Sequence, residues 1–268
     1  MQTSVLSGEL RQMTRSRLRE SGCDGDDWIS GFGVDENGCA TLEALNASVN
    51  GFELKSIGFG KASVVRTAVY LSCKRIIDVL LSLVAIVLLS PVILVAAVLI
   101  KLYDRGPVFF SQVRVGKGGR TFRCFKFRSM IRNAQSLQHS LTAESQHADP
   151  RTFKIANDPR ITPPGRILRR FSIDELPQIL NVFLGQMSIV GPRPPLPHEV
   201  ALYSDSDFLR LAVKPGLTCT WQVSGRSRLP FPEQVKLDLD YIQRRTLFLD
   251  LALIVRTIPA VLSGDGAV

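Results

Sequence analysis

Cysteine and histidine are scarce and scattered in this 268-residue chain. Cys23, Cys39, Cys73, Cys124 and Cys219 form no Cys-x-x-Cys pair and stand away from any histidine at zinc-ligand spacing. That pattern excludes a disulfide-stapled secreted scaffold and gives no zinc signature; an odd, dispersed set suits reduced thiols. His139, His147 and His198 are equally isolated and receive no metal role. The opening stretch "MQTSVLSGELRQMTRSRLRE" lacks the apolar core of a signal peptide. Acid is missing in one place in particular. From Lys101 to Arg132 nine basic residues accompany a single acid, Asp104.

The formal charge of +9 is therefore uneven: residues 1–70 carry seven Lys/Arg and nine Asp/Glu, so the surplus lies downstream. A field of that kind suits an anionic partner, namely nucleic acid, anionic lipid or a phosphorylated substrate, or else a solvated basic surface. Residues 1–60 are rich in Gly, Ser, Asp and Asn with weak periodicity, so 1–70 reads as a polar, poorly ordered N-terminal extension. Residues 61–72 lead toward an apolar segment, and 71–268 is the folded unit.

That segment, "IIDVLLSLVAIVLLSPVILVAAVLI" over 76–100, predicts a membrane helix. Val79 to Ile100 is 22 residues without a charge, about 33 Å as a straight helix at ~1.5 Å per residue. Pro91 at its middle removes one N–H and displaces the carbonyl of Val87, so the helix should kink. Ser90 is placed to bond back to the preceding turn. Lys74 and Arg75 precede the segment, while Lys101, Arg105 and the basic window follow it. Positive charge on both flanks favours both ends on one face, a re-entrant helix bent at Ser90-Pro91, with a plain span as the alternative. Asp78 is expected to pair with Lys74 or Arg75.

Downstream, "VFFSQVRV" and "TFRCFKFRSM" alternate as two strands around a "GKGG" turn. A basic hairpin with interleaved aromatics fits a single-stranded nucleic-acid platform. Beside a membrane helix, lipid phosphate is the more natural anion. Turn chemistry is dense across 157–197. Gly165–Phe171 reads as a short helix, and Leu176, Ile179, Leu180, Phe183 and Leu184 mark the apolar stripe of a second, ended by Gly185. Pro177 belongs in a first turn, which starts that helix near Asp174. Two readings of "RRFSIDELPQ" follow. In one, Ser172 and Glu175 form a capping box and the acids favour a helix N-terminus. In the other, one carboxylate attacks phosphorus while its neighbour, about 100° round the helix, holds a metal or orients the site. Arg166, Arg169 and Arg170 are expected to keep both acids ionised.

These motifs in order, "KRIIDVLLSLVAIVLLSPV", "KFRSM", "NDPRIT", "GRILRRFSIDELPQILNVFLGQMSIVGPRP", "KPGLTCTWQVSGRS", "LDLDYI" and "TIPAVLSGDGAV", resemble the bacterial sugar transferases, or monotopic phosphoglycosyl transferases. The resemblance runs from about Lys74 to the C-terminus and is nearest to the exopolysaccharide-initiating branch. It implies an α+β, predominantly helical fold with a re-entrant membrane helix, interfacial amphipathic helices and a small β-hairpin. It implies transfer of a sugar-1-phosphate from a UDP-sugar to undecaprenyl phosphate through a phosphoglycosyl-aspartate. The sugar would be galactose or glucose and the cofactor Mg²⁺. Asp174 would be the nucleophile, Glu175 a metal ligand or organiser, and the metal would sit beside both. Lys126, Arg128, Arg169, Arg193, Arg226 and Asp240 would meet phosphate or nucleotide, and Ser90 and Pro91 would form the membrane kink. The catalytic domain would lie on the cytoplasmic face of the bacterial inner membrane, against membrane lipid. No nucleic-acid partner is expected, and a homo-oligomer is compatible with this reading. Cys219 and Thr220 depart from the family pattern, which is expected to affect packing. Trp221 is expected to be core rather than a sugar platform. The alternative function is a non-catalytic, membrane-anchored module that holds polyprenyl phosphate or anionic lipid.

Overall fold

A computed structural model describes residues 61–134, 136–137, 149, 151, 155, 157–204 and 206–264. The expectation for the N-terminal extension falls on residues 1–60, outside the described residues, except for its last ten. Those ten already belong to the first helix, α1 (Lys61–Leu88).

The kinked helix expected over 76–100 is two helices, broken where the bend was expected. Leu89 separates α1 from α2 (Ser90–Asp104), and the pair Thr67–Leu88 and Ser90–Asp104 meets at 58°. Among the described residues no single helix is long and apolar enough to cross a membrane. The bent pair passes that test of length and composition only together. Pro91 has no N–H to offer the carbonyl of Val87. Ser90 Oγ donates to that carbonyl instead, at 2.8 Å. The bend is thus satisfied by the adjacent residue, as its placement predicts.

Next come β1 (Phe109–Val115) and β2 (Thr121–Phe127), an antiparallel hairpin closed by a 3₁₀ turn over Lys117–Gly119. Its buried face seeds separate small cores. Val115 packs with Tyr203, Phe208 and Phe231; Phe127 packs with Ala96, Ile100 and Leu168; Cys124 packs with Val182 and Met187. The hairpin therefore ties the bent helix pair to everything that follows. Two short helices, α3 (Pro163–Arg170) and α4 (Gln178–Phe183), flank the 3₁₀ turn Ile173–Glu175. After them come β3 (Ser188–Val190), α5 (Pro197–Ala201), β4 (Gly216–Thr218), α6 (Phe231–Arg244) and α7 (Leu247–Ser263). β3 and β4 pair in parallel. The fold is α+β and mostly helical, with two two-stranded sheets among the described residues.

Two expectations are corrected here. Asp78 pairs with neither Lys74 nor Arg75. Its carboxylate accepts from Ser188 Oγ at 3.1 Å and from the Ile189 amide at 3.0 Å, joining α1 to β3. Lys74 instead meets Asp250 on α7 at 2.8 Å, and Arg75 donates to the carbonyls of Val182 and Phe183 at the end of α4, both at 2.7 Å. The apolar stripe expected on α4 holds only at Ile179, with Leu176 half-buried. The buried face of α4 is Gln178, Ile179, Asn181 and Val182, while Leu180, Phe183 and Leu184 are exposed. Polar residues bury because the interior there is polar: Asn181 accepts from the Phe125 amide at 3.0 Å and donates to the Arg123 carbonyl at 2.8 Å. The helix does end as expected, at Gly185 with φ of 83°.

Exposed apolar residues gather on particular elements. Phe248, Leu251, Val255, Ile258 and Leu262 form a stripe along α7, opposite the buried Asp250 and Leu253. Val84, Val87, Leu88, Leu94 and Leu102 do the same on the bent pair. Exposed apolar faces of this size are uncommon on a water-facing surface.

Candidate active site

The acidic pair sits in the 3₁₀ turn Ile173–Glu175, three residues before α4 begins. Ser172 occupies the left-handed region, φ 54°, and its side chain makes no cap hydrogen bond. The capping-box reading is therefore overturned: Glu175 does not reach back toward Ser172. Glu175 Oε1 instead accepts from Lys126 Nζ on β2 at 2.6 Å. α4 begins with Pro177 as its N-terminal flank, which places the proline correctly and the acids outside the helix.

Burial separates the two carboxyls. Asp174 is 7% exposed and makes no side-chain hydrogen bond to another described residue. Burial pushes its carboxyl up, Lys126 pulls it down, and the charge of Glu175 raises it further. For Glu175 burial acts in the same direction but is outweighed: Lys126 first, then Arg193, hold it below the usual carboxylate range. The expectation that Arg166, Arg169 and Arg170 keep both acids ionised needs correction. Arg166 and Arg170 are exposed on α3. Arg169 contributes to Asp174 from a distance while its Nε donates to Ser129 Oγ at 3.0 Å. Lys126 is the dominant cation for both acids.

A cleft opens beside the pair. Arg114, Lys126, Glu175, Gln178, Arg193 and Gln222 line it, and it is narrow and open to solvent. Arg193 is carried on the loop after β3, in "GPRPP". That loop is held close to β4 by glycine: a Cβ on Gly216 would lie 2.1 Å from the amide nitrogen of Gly191. β1 grips the same loop, since the Val115 amide donates to the Pro195 carbonyl at 2.9 Å.

The structure thus brings together Asp174, Glu175, Lys126 and Arg193, with Arg169 nearby. Asp174 and Arg169 stand beside the cleft rather than in its lining, and Arg128, Asp240 and Arg226 are also outside that lining. Arg128 is buried and pairs with Asp104 at the end of α2. Asp240 is exposed and pairs with Arg244 one turn along α6, at 2.8 Å. Its neighbour Tyr241 faces the interior, donating to Asp250 at 2.6 Å. Arg226, at φ 54°, heads a 3₁₀ turn and is not among the residues that line the cleft. Two-residue alternation would put Arg128 on the face of Lys126, but β2 ends at Phe127 and Arg128 lies beyond the strand. Trp221 is core, 6% exposed. Cys219 is buried, and its Sγ donates to Gln222 Oε1 at 3.1 Å, so the unusual residue packs behind the cleft wall. Sequence reasoning missed Arg114, Gln178 and Gln222. Arg114 looked like one more cation of a basic strand, and a glutamine carries no charge signal at all.

Among the described residues no group of three or more His, Cys, Asp or Glu side chains is placed to hold a metal. Two hard carboxylates do stand together. Magnesium ordinarily takes one or two protein carboxylates plus substrate phosphate and water, and Asp174 is a buried carboxylate with no directly bonded cation, so the pair fits such an ion.

Comparison with known proteins matches residues 69–264 to the family described as bacterial sugar transferase. The chain is 40% identical over 197 residues to the "Exopolysaccharide production protein ExoY" of Rhizobium meliloti, covering 72% of this chain and 87% of that one. It is 40% identical over 197 residues to the "Undecaprenyl-phosphate galactose phosphotransferase" of Salmonella typhimurium, covering 72% of this chain and 41% of that protein. The "Galactosyl transferase CpsE" of Streptococcus agalactiae is 41% identical over 199 residues, with 74% of this chain and 44% of that protein covered.

Proposed function

The chain belongs to the bacterial sugar transferase family, and on that premise we propose that it moves a sugar-1-phosphate from a UDP-sugar to undecaprenyl phosphate. The observation that carries this reading is Glu175 set against Lys126 and Arg193 in one cleft, with the buried Asp174 as its chain neighbour under the charge of the same Lys126. Phosphoryl transfer asks for positioning and charge neutralisation more than for elaborate proton chemistry, and this cleft offers both.

In the first half-reaction a carboxylate oxygen of Asp174 attacks the β-phosphorus of the UDP-sugar. The bond from that phosphorus to the bridging oxygen breaks, UMP leaves with the electron pair, and a phosphoglycosyl-aspartate forms. In the second, a phosphate oxygen of undecaprenyl phosphate attacks the same phosphorus. The Asp174 carboxylate departs unchanged, and the sugar is left on a lipid diphosphate. Lys126 neutralises Glu175 and the incoming phosphates, and Arg193 adds a second cation from its rigid loop. Asp174 and Glu175 would hold Mg²⁺, which when bound supplies positive charge to the phosphates. The more basic of the two carboxyls, Asp174, is the better nucleophile, whereas Glu175 is already engaged by Lys126.

The exposed apolar faces of the bent helix pair and of α7 support a membrane site, with the helices entering and leaving the cytoplasmic side of the inner membrane. A soluble nucleotide sugar and a lipid phosphate then meet at one surface. Names of the relatives include galactose and N-acetylgalactosamine, which favours galactose as the first hexose to try. The test is incubation with UDP-galactose and UDP-glucose labelled at the β-phosphate. Label should remain on the protein with UMP released, and Asp174→Asn should abolish both. If no UDP-hexose releases UMP in the presence of Mg²⁺ and polyprenyl phosphate, the enzyme reading fails and a lipid-holding module remains.

A further inference from the structure

The floor of the cleft carries groups that the transfer chemistry above does not employ. Arg114 is 6% exposed and lines the cleft. Its guanidinium is clamped: one terminal nitrogen donates to the Pro194 carbonyl at 2.9 Å, the other to Gln112 Oε1 at 3.0 Å. The third nitrogen, Nε, is buried and has no acceptor among the described residues. Gln178 lines the same cleft at 4% exposure, and its amide meets no partner among the described residues. Gln222 joins them, its carbonyl oxygen held by the Cys219 thiol at 3.1 Å, which leaves its NH₂ as the uncommitted end.

A buried N–H with no acceptor is costly, and native proteins rarely keep one without a ligand, water or ion to receive it. That orphaned Arg114 donor, beside the uncommitted amides of Gln178 and Gln222 in one cleft, points to an acceptor-rich ligand. Charge narrows the class. Arg114, Lys126 and Arg193 face one carboxylate in the lining, Glu175, so the cleft has a surplus matched to a dianion.

We propose that Arg114, Gln178 and Gln222 form the floor of a phosphate-monoester site that holds the 5′-phosphate of the departing nucleoside monophosphate. This rests on the transfer reading above and extends it to the group that leaves. Arg114 supplies a fixed N–H from the β1 ladder, and the glutamines supply neutral donors that select oxygen acceptors. Lys126 and Arg193, only half-buried, are the cations that adjust to the arriving phosphate. The cleft is narrow, with about 10 Å³ of water-accessible space in all, so the phosphate docks at its open mouth against these groups.

The experiment measures equilibrium binding of UMP, inorganic phosphate and uridine to the full-length protein in detergent, alongside its melting temperature. Arg114→Gln should weaken UMP by roughly ten- to a hundredfold, the range for losing a charge-assisted hydrogen bond, and Gln178→Leu by about three- to tenfold. Phosphate should follow the same order and uridine should not. In Arg114→Gln the salt dependence of UMP binding should flatten, and Gln178→Leu should keep the melting temperature of the parent. A purely architectural role for Arg114 makes the opposite forecast. Arg114→Gln would then melt earlier while Gln178→Leu bound UMP as the parent does, and that result overturns the proposal. Asp174→Asn separates the two readings. UMP binding retained in Asp174→Asn but lost in Arg114→Gln upholds the site even if no turnover is found. UMP released in turnover but bound without regard to Arg114 and Gln178 upholds the transfer and removes the site.

Discussion

Asp174 and Glu175 are neighbours in sequence with different surroundings, and the difference assigns their work. Glu175 is bonded to Lys126, whereas Asp174 is buried without a bonded cation. Replacing Asp174 with Asn should lower UMP release at least about 10³-fold, as loss of a nucleophile does, with folding judged intact by an unchanged melting curve. Lys126→Met should cost about 10²- to 10³-fold in kcat, the range for one preorganised charge-stabilising donor, and should also free Glu175. A rate equal to the parent's would show that Lys126 only holds Glu175 in place. The acidic pair was legible from "SIDELP" together with the surrounding motifs. Its partners were legible only in part. Lys126 and Arg193 stood out as cations near turns, but Arg128 and Asp240 stood out equally and pair elsewhere, with Asp104 and Arg244.

At the scale of elements, the bent pair and the glycine contact matter most. Ser90 and Pro91 make a 58° bend whose lost backbone bond is replaced by the serine hydroxyl. With other cysteines removed, Cys73 and a cysteine at Tyr103 should both be labelled from the cytoplasmic side. Pro91→Ala restores the N–H and should shift part of the Tyr103 population to the opposite side; labelling of the two flanks from opposite sides in the parent would remove the re-entrant reading. Gly216 is the second control point. A Cβ there would press on the Gly191 amide at 2.1 Å and its carbonyl at 2.5 Å, both backbone atoms. Gly216→Ala should therefore displace the loop that carries Arg193 and lower activity about tenfold or more, roughly the effect of a small misplacement of a binding group. The kink was visible in the sequence because proline acts locally. The α4 face was not, since Asn181 buries by bonding to β2, a partner 56 to 58 residues away.

For the whole molecule, α1 is locked to the remainder by polar contacts in addition to apolar packing. Lys74 and Asp250 join α1 to α7, with Tyr70 and Tyr241 also donating to Asp250 at 2.9 and 2.6 Å. Lys74→Met leaves that carboxylate without its cation and should destabilise by about 2–5 kcal/mol, with part recovered in the Lys74→Met/Asp250→Asn double variant. Elsewhere, Asp158 is buried against Arg160 at 2.7 Å. Burial pushes its carboxyl up, but the hydrogen bonds from Arg160 outweigh this and the net direction is down from 3.8. With the folded value below the unfolded one, its stabilisation is present above about pH 4 and is lost as pH falls through the lowered value. Unfolding followed against pH should show this acid limb in the parent and a shallower one in Asp158→Asn.

By itself the sequence determined the local features: the apolar run and its proline, the hairpin, the short helices, the acidic pair and the family. Each follows from residues within a few positions of one another, where backbone sterics and periodicity act. Only the tertiary structure decided which cations serve the acids, which face of α4 is buried, where Asp78 finds its partners, and that Arg114 and Gln178 share a cleft with Glu175. Those outcomes depend on strands and loops separated by tens of residues, whose side chains meet through packing that no local pattern encodes.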